Sequence, residues 1–283
     1  MYFRVLGPLD VQVNGSSLRL DSARQRTVLA ALLASANDLV PLECLIDWCW
    51  PRRPPRSAIA TIQAHICRLR RALEPDRPAW APPGVLLRRA PGYLIRIGAD
   101  ELDMLRFERL IAAGRGALER DDPRRAADLL GQALALWRGA PLPDLVHAEA
   151  AQPMIARLEA LRLSALTTRI DADLRLGREL ALIPELSALV RRHPYDERLC
   201  GQLMLALYRC GRQAESLEAY ERMRLTLADD LAIAPSPASR RLQEAILAQH
   251  PDLDRVGMDR VGLDRPATGM VHEGVVHVVV PAE

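Results

Sequence analysis

Apolar and polar residues alternate over the first twenty positions: Phe3 and Val5, then Val11 and Val13, then Leu18 and Leu20. A period of two predicts short strands with one buried face. Between the second and third sets, Asn14-Gly15 is a pair that tolerates the positive φ of a tight hairpin turn. The period then changes. Val28, Leu29, Leu32 and Leu33 follow helical spacing, and Ser22-Ala23-Arg24-Gln25 ahead of them has the spacing of a capping box. A short second helix is expected after Pro41, carrying Leu42, Leu45, Ile46 and Trp50. Pro51 and Pro54-Pro55 end it, since proline cannot continue a helix. The third helix is predicted from about Ser57 to Leu73, with Ile59, Ile62, Ile66, Leu69 and Leu73 as its apolar stripe. Ser57, Ala60, Thr61, Ala64, Arg68 and Arg71 fall opposite, with His65 at the edge. After a proline-rich stretch from Pro75 to Pro83, residues 85–97 read as two strands around a turn at Pro91-Gly92, with Arg88 and Arg89 at the tip.

From Asp103 the pattern is helical almost without interruption, including a long helix expected from about Ala148 to Leu176. Gly177-Arg178 and Gly211-Arg212 lie 34 residues apart, each between amphipathic segments. That interval is the period of a tetratricopeptide repeat, which Pro194, Ala206, Tyr208, Ala214 and Tyr220 fit loosely. Residues 251–283 differ. Asp254-Arg255-Val256-Gly257-Met258 and Asp259-Arg260-Val261-Gly262-Leu263 repeat with a period of five, too short for a packed unit, so a flexible tail is expected. The valine-rich run 275–280 either adds a strand to a sheet edge or does nothing, and His272 and His277 are too isolated to be metal ligands.

Composition narrows the chemistry. The 283 residues are 49% apolar and 26% charged, as in a soluble globular protein, and the length fits two domains. All 38 cationic side chains are arginine. Without lysine there is no Walker A loop, no kinase strand lysine, no Schiff base and no ordinary phosphorelay receiver. The net charge of +2 is uneven: residues 1–98 hold 14 Arg against 7 acids, residues 99–250 hold 21 against 23, and residues 251–283 hold 3 against 6. A basic first third beside an acidic body suits a module for a polyanion attached to a body with another task. Cys44, Cys49, Cys67, Cys200 and Cys210 show no CxxC spacing and an odd count, so most read as small core residues of a reducing cytoplasm rather than a zinc or disulfide framework. No apolar run is long enough to span a membrane, and the first residues lack the apolar core of a signal peptide. No nucleophile, metal cluster or phosphate loop points to catalysis, and no cofactor is implied.

The order sheet, three helices, hairpin is that of a winged helix-turn-helix, whose third helix enters the major groove while the wing reaches backbone or minor groove. Arg24-Gln25-Arg26, Leu45-Ile46-Asp47 with Trp50, the run from His65 to Leu73 and Pro91-Gly92-Tyr93 resemble an OmpR/PhoB-type domain. Over about residues 1–250 the chain resembles the Streptomyces antibiotic regulatory protein family of transcriptional activators. The resemblance implies a mainly α protein with small β sheets: a DNA-binding winged helix over 1–98, then an all-α, tetratricopeptide-like bacterial transcriptional activation domain over 99–250. It also implies a cytoplasmic protein whose two protomers bind direct repeats near the −35 region of promoter DNA. RNA polymerase with its sigma factor is the implied partner, and an antibiotic or secondary-metabolite gene cluster the implied target.

Carried over by residue, Arg68 matches the base-reading arginine, and Trp50, His65, Arg70 and Tyr93 match positions near phosphates. Arg89 matches the wing arginine that approaches the minor groove, and Arg56, Ser57, Thr61, Ala64 and Arg71 complete the DNA-facing set. Arg70 also lies near the apolar stripe, where a structural ion pair is the alternative; Trp50 reads first as a core anchor whose indole N–H reaches the backbone, and the alternative for His65 is an ordinary surface histidine. Cys67 stands where such domains carry a polar or basic residue. Arg24 and Arg26 oppose the dipole of the first helix, at about 0.3–1 kcal/mol each, so a partner is expected: phosphate, a second protomer, polymerase or an intradomain acid. Two other functions compete: an adaptor whose winged helix meets protein, and a regulator gated by a small molecule.

Overall fold

The opening alternation forms an antiparallel meander of β1 (Tyr2–Arg4), β2 (Asp10–Val13) and β3 (Ser16–Ser17). Phe3 pairs with Val11, both buried, and Asn14 and Gly15 take the expected positive φ of 51° and 79°. The return strand is shorter than the alternation of Leu18 and Leu20 predicts, because the chain leaves the sheet to reach the first helix. A computed structural model supplies the coordinates and describes residues 1–20, 22–78, 80–145 and 148–254. The pentapeptide repeats beyond Asp254, the 275–280 run, His272 and His277 lie outside the described residues.

Helix α1 (Ala23–Ala34) starts at Ser22, whose hydroxyl makes no capping bond. The capping box is not formed, since Gln25 is buried with the core face of the helix. Helices α2 (Leu42–Cys49) and α3 (Ala58–Leu73) pack on α1 around Leu29, Leu32, Leu45, Ile62, Ile66 and Leu69, all fully buried. A second sheet has the order β4 (Val40–Pro41), β6 (Gly92–Ile95), β5 (Leu86–Arg89). Its hairpin is the wing. A Cβ on Gly92 would lie 1.9 Å from the Val40 carbonyl oxygen, so only glycine lets β4 approach there.

Helices α4 (Asp103–Glu119), α5 (Pro123–Leu134) and α6 (Gln152–Arg175) follow. The long helix begins four residues later than predicted, because Glu149–Ala151 forms a 3-10 turn and Pro153 takes its place in the first helical turn. By packing, the chain divides into two compact units, Met1–Leu176 and the residues from Gly177 onward. The second holds α7 (Glu179–Arg192), α8 (Glu197–Arg209), α9 (Gln213–Leu231) and α10 (Pro237–Leu247). Gly177 and Gly211 are left-handed, at φ 71° and 74°, as befits equivalent turns of a helical repeat. Inside this unit the buried Ser216 hydroxyl donates to the Met204 carbonyl at 2.8 Å, tying α9 to α8. Arg209 pairs with Glu179 at 3.2 Å and donates to the carbonyl of buried Leu253 at 2.7 Å, so ordered chain runs past α10.

Within the first unit, one buried carboxylate joins the winged helix to the helices after it. Asp103, the first residue of α4 and 1% exposed, accepts from the Val5 N–H at 2.8 Å and the Leu6 N–H at 3.0 Å. Burial pushes its carboxyl upward; the N–H groups of Val5, Leu6 and Met104 and the charge of Arg138 pull the other way. Nearby, the Arg138 N–H donates to Leu6 and the Leu142 N–H to Gly7. Asp103→Ala should orphan two buried donors at about 1–3 kcal/mol each, lowering the urea midpoint of the first unit, with Asp103→Asn intermediate. Tryptophan fluorescence reports that unit alone, since Trp48, Trp50, Trp80 and Trp137 all lie in it. An unchanged midpoint in the alanine variant would count against this bond.

Candidate nucleic-acid interface

Helix α3 buries Ala58, Ile62, His65, Ile66, Leu69 and Leu73, and exposes Ile59, Ala60, Gln63, Ala64, Cys67, Arg68 and Arg71. The exposed set repeats at i, i+4, i+8 and is one continuous face. Two sequence expectations need correcting. Ile59 is 51% exposed and leaves the apolar stripe, while His65 is 5% exposed and joins the buried side. The cause is tertiary. At about 100° per residue the two positions flank the stripe centre. The flank with His65 is covered, whereas on the Ile59 flank the hairpin packs only further along, at Arg70.

Arg70 faces the wing. Its Nε donates to the Leu86 carbonyl at 2.9 Å and its guanidinium lies 5.9 Å from the ring centre of Tyr93, itself 6% exposed. Among the described residues Arg70 makes no ion pair; a carbonyl and an aromatic face take its place. His65 has a buried Nδ1 without a partner, and burial, then Arg68 and Arg24, push its pKa down. It is therefore a neutral imidazole at pH 7. The Arg24 guanidinium lies 5.2 Å over the ring of half-buried Trp50. Arg26 reaches Asp144 at 3.3 Å and the Leu20 carbonyl at 3.0 Å, so of the partners open to the first-turn cations it has the intradomain acid.

The remaining predicted residues are exposed, apart from Thr61, which is half-buried. Ser57 is the N-cap of α3 without a side-chain capping bond, and its carbonyl accepts from both the N–H and the hydroxyl of Thr61 at 2.9 Å. Arg56, Ala64, Arg68, Arg71 and Arg89 are exposed. Arg53, Arg56, Arg68, Arg71, Arg88 and Arg89 have no carboxylate within pairing distance among the described residues, while Arg52 pairs with Glu149 across exposed surface. Between α3 and the wing tip lies a cleft of about 120 Å³ lined by Gln63, Arg88, Pro91 and Tyr93, among others. Sequence reasoning missed Ile59 and Gln63 as face residues, and also Trp80, which is 87% exposed in the proline-rich loop. Helical spacing from Cys67 back to Gln63 and Ile59 was the available signal. Among the described residues no cluster of metal-ligating side chains occurs, and no helix is long and apolar enough to cross a membrane.

Residues 15–95 match the family described as transcriptional regulatory protein, C terminal, and residues 102–247 match the bacterial transcriptional activator domain. The chain is 41% identical over 261 residues to the regulatory protein DnrI of Streptomyces peucetius, covering 91% of this chain and 96% of that protein. This chain belongs to the Streptomyces antibiotic regulatory protein family. Like its relatives, this member of the family is a transcriptional regulator. It is also 40% identical over 252 residues to the regulatory protein AfsR of Streptomyces coelicolor, covering 89% of this chain but only 24% of that longer protein. The solved structure of Mycobacterium tuberculosis EmbR in complex with a low affinity phosphopeptide superimposes with a TM-score of 0.84 at 37% identity, covering 89% of this chain and 66% of that one. The family's winged helix followed by an all-α body is the architecture found here.

His65 yields a pH signature. Its folded pKa lies below the ordinary 6.5, so on acidification the unfolded chain takes the proton first and stability falls; above about pH 7 the contribution is complete. The urea midpoint of the first unit should drop between about pH 7.5 and pH 5.5. In His65→Gln that drop should shrink, and an equal drop in both proteins would contradict a buried neutral imidazole.

Proposed function

We propose that this regulator is a sequence-specific DNA-binding activator that seats the exposed face of α3 in the major groove and sets the wing tip on the adjacent backbone or minor groove. The observation that carries this reading is the set of six exposed arginines on α3, in the loop before it and on the wing, Arg53, Arg56, Arg68, Arg71, Arg88 and Arg89, which have no carboxylate within pairing distance among the described residues. Ala60 and Ala64 let the backbone approach base edges. Arg68 is the base reader, its guanidinium fork matching O6 and N7 of guanine. Arg56, Ser57, Thr61 and Arg71 contact phosphates, and Arg89 takes the minor groove beside the wing. Trp50, His65, Arg70 and Tyr93 hold the frame, with Arg24 stacked at its edge. Family membership supports the finer reading: a cytoplasmic protein, two protomers on direct repeats near the −35 region, recruitment of RNA polymerase with its sigma factor, and control of an antibiotic or secondary-metabolite cluster. Arg26 is occupied by Asp144, which leaves Arg24 as the first-turn cation available to a second protomer or polymerase.

Footprinting across the promoters around its own gene tests the proposal. If about six phosphates are neutralised, log K falls against log salt with a slope of roughly −5. Arg68→Ala should erase the preference for one base pair, worth about 1–3 kcal/mol, and a footprint indifferent to that change would remove Arg68 from base reading. Arg89→Ala should weaken binding evenly across sequences and make the salt slope shallower by about 1; a loss confined to one base position would contradict it. Failure of the intact protein to retain any promoter DNA would favour the adaptor function instead.

A further inference from the structure

The second compact unit holds a cavity of about 530 Å³ that the proposed DNA contacts do not use. One side of it is a row on α9, where Tyr220, Arg224 and Ala228 follow one another at four-residue spacing. At Ala232 the backbone turns left-handed, with φ 55°, and the helix ends. Ile233 and Pro235 then line a second side, and Arg240 on α10 a third. Ile233 is 50% exposed, an apolar side chain left in water. Tyr220, by contrast, is only 4% exposed. Its hydroxyl makes no hydrogen bond among the described residues, yet it is not sealed from solvent, so it opens on the cavity. Burial raises its pKa against the pull of Arg240 and Arg224, so at neutral pH the hydroxyl is a donor. The acids close by are already engaged. Arg224 donates to both oxygens of Glu221, at 2.9 and 2.5 Å. Oε2 of Glu197 accepts from the Ser236 N–H and the Ser239 hydroxyl, at 2.8 and 2.6 Å. Arg240 pairs with no carboxylate among the described residues.

We propose that this cavity binds a small amphipathic carboxylic acid, whose carboxylate accepts from the Tyr220 hydroxyl and pairs with Arg240 while its carbon skeleton packs on Ala228, Ile233 and Pro235. Size, lining and charge select that class. Small-molecule sites run to about 300–1,000 Å³ and combine an apolar lining with a few convergent polar groups. Glu221 neutralises Arg224, so Arg240 leaves a single positive charge over, which one carboxylate balances. A phosphate group, with about two negative charges at neutral pH, would leave part of its charge unmet. A cationic head group would face the unpaired guanidinium instead. Carbon laid against Ile233 takes apolar surface out of water, and the acid then bridges α9 to α10. The site lies wholly within the second unit and is independent of the DNA contacts proposed above.

Octanoate and cinnamate are the probes, with octanol and cinnamyl alcohol as neutral counterparts of the same skeletons. Isothermal titration calorimetry of the full chain should show saturable binding of at least one acid, with its alcohol about tenfold weaker or worse. Tyr220→Phe removes only a hydroxyl that has no partner in the fold, so the thermal midpoint should not fall. Its affinity for the acid should drop about tenfold, the scale of one hydrogen bond to a charged group. Arg240→Gln should cost about threefold, because the side chain is exposed, and that loss should fade at high salt. Far-UV circular dichroism checks that both variants keep their helices. A lower thermal midpoint in Tyr220→Phe would show the hydroxyl engaged within the fold and overturn the assignment. So would the absence of saturable binding of either acid up to millimolar concentration, equal binding of acid and alcohol, or acid binding unchanged in both variants.

Discussion

The carboxylate of Asp103 closes two ends of backbone at once. The N–H groups of Val5 and Leu6 leave the first sheet with no strand to receive them, and buried donors must find acceptors. The same carboxylate stands at the first position of α4, where the positive end of the helix dipole favours an anion. One side chain therefore ends β1 and begins the helical body. The loop after β1 is also received on its other side, since Leu6 and Gly7 carbonyls accept from Arg138 and Leu142. This is why the first compact unit continues through α4, α5 and α6, although the two family matches meet near residue 100. These bonds tie the winged helix to those three helices within one compact unit.

Inside that unit, the geometry of the interface is set from behind. Arg70 fixes the C-terminal half of α3 to β5 through Leu86, and Gly92 admits β4 to the other edge of β6. Asn37 exchanges two hydrogen bonds with the backbone of Ile97, at 2.8 and 3.0 Å, anchoring the end of the wing to the chain before β4. Helix face and wing are thus tied to one another through backbone and side-chain contacts; for the proposed DNA contact, such preorganisation would reduce the ordering entropy lost on binding.

Much of this was legible in the sequence. Periodicity located all three helices of the head, the hairpin and the left-handed turns at Gly177 and Gly211. Ile59 and His65 were not legible, because both sit on flanks of the same stripe, and which flank is covered depends on where another element packs. Arg24 and Arg26 show the same limit. They are identical residues two positions apart, yet Arg26 finds Asp144, remote in sequence, and Arg24 finds an aromatic ring. Gly92 reads as a turn glycine, whereas its stronger constraint is a carbonyl of a strand fifty residues earlier. Ser22 has the sequence of a capping box, but burial of Gln25 outweighs the reciprocal bond.

Having arginine as its only cation gives the chain a particular economy of means. Guanidinium groups lie over the rings of Trp50, Tyr93 and Trp137 inside the first unit, a use for which an ammonium group is less suited. The same side chain turned outward suits bidentate recognition of guanine or phosphate. Which task an arginine performs is decided by acceptors within reach, and near α3 those acceptors are withheld. Glu43 and Asp47 on α2 pair with no arginine among the described residues, while Arg26 and Arg52 take their carboxylates from beyond residue 98. Exposed ion pairs are worth little to stability, so pairing Arg68 or Arg71 with a surface acid would gain the fold almost nothing. It would, however, neutralise the face proposed above to meet DNA. The distribution of acids, more than the number of arginines, is what keeps that face basic.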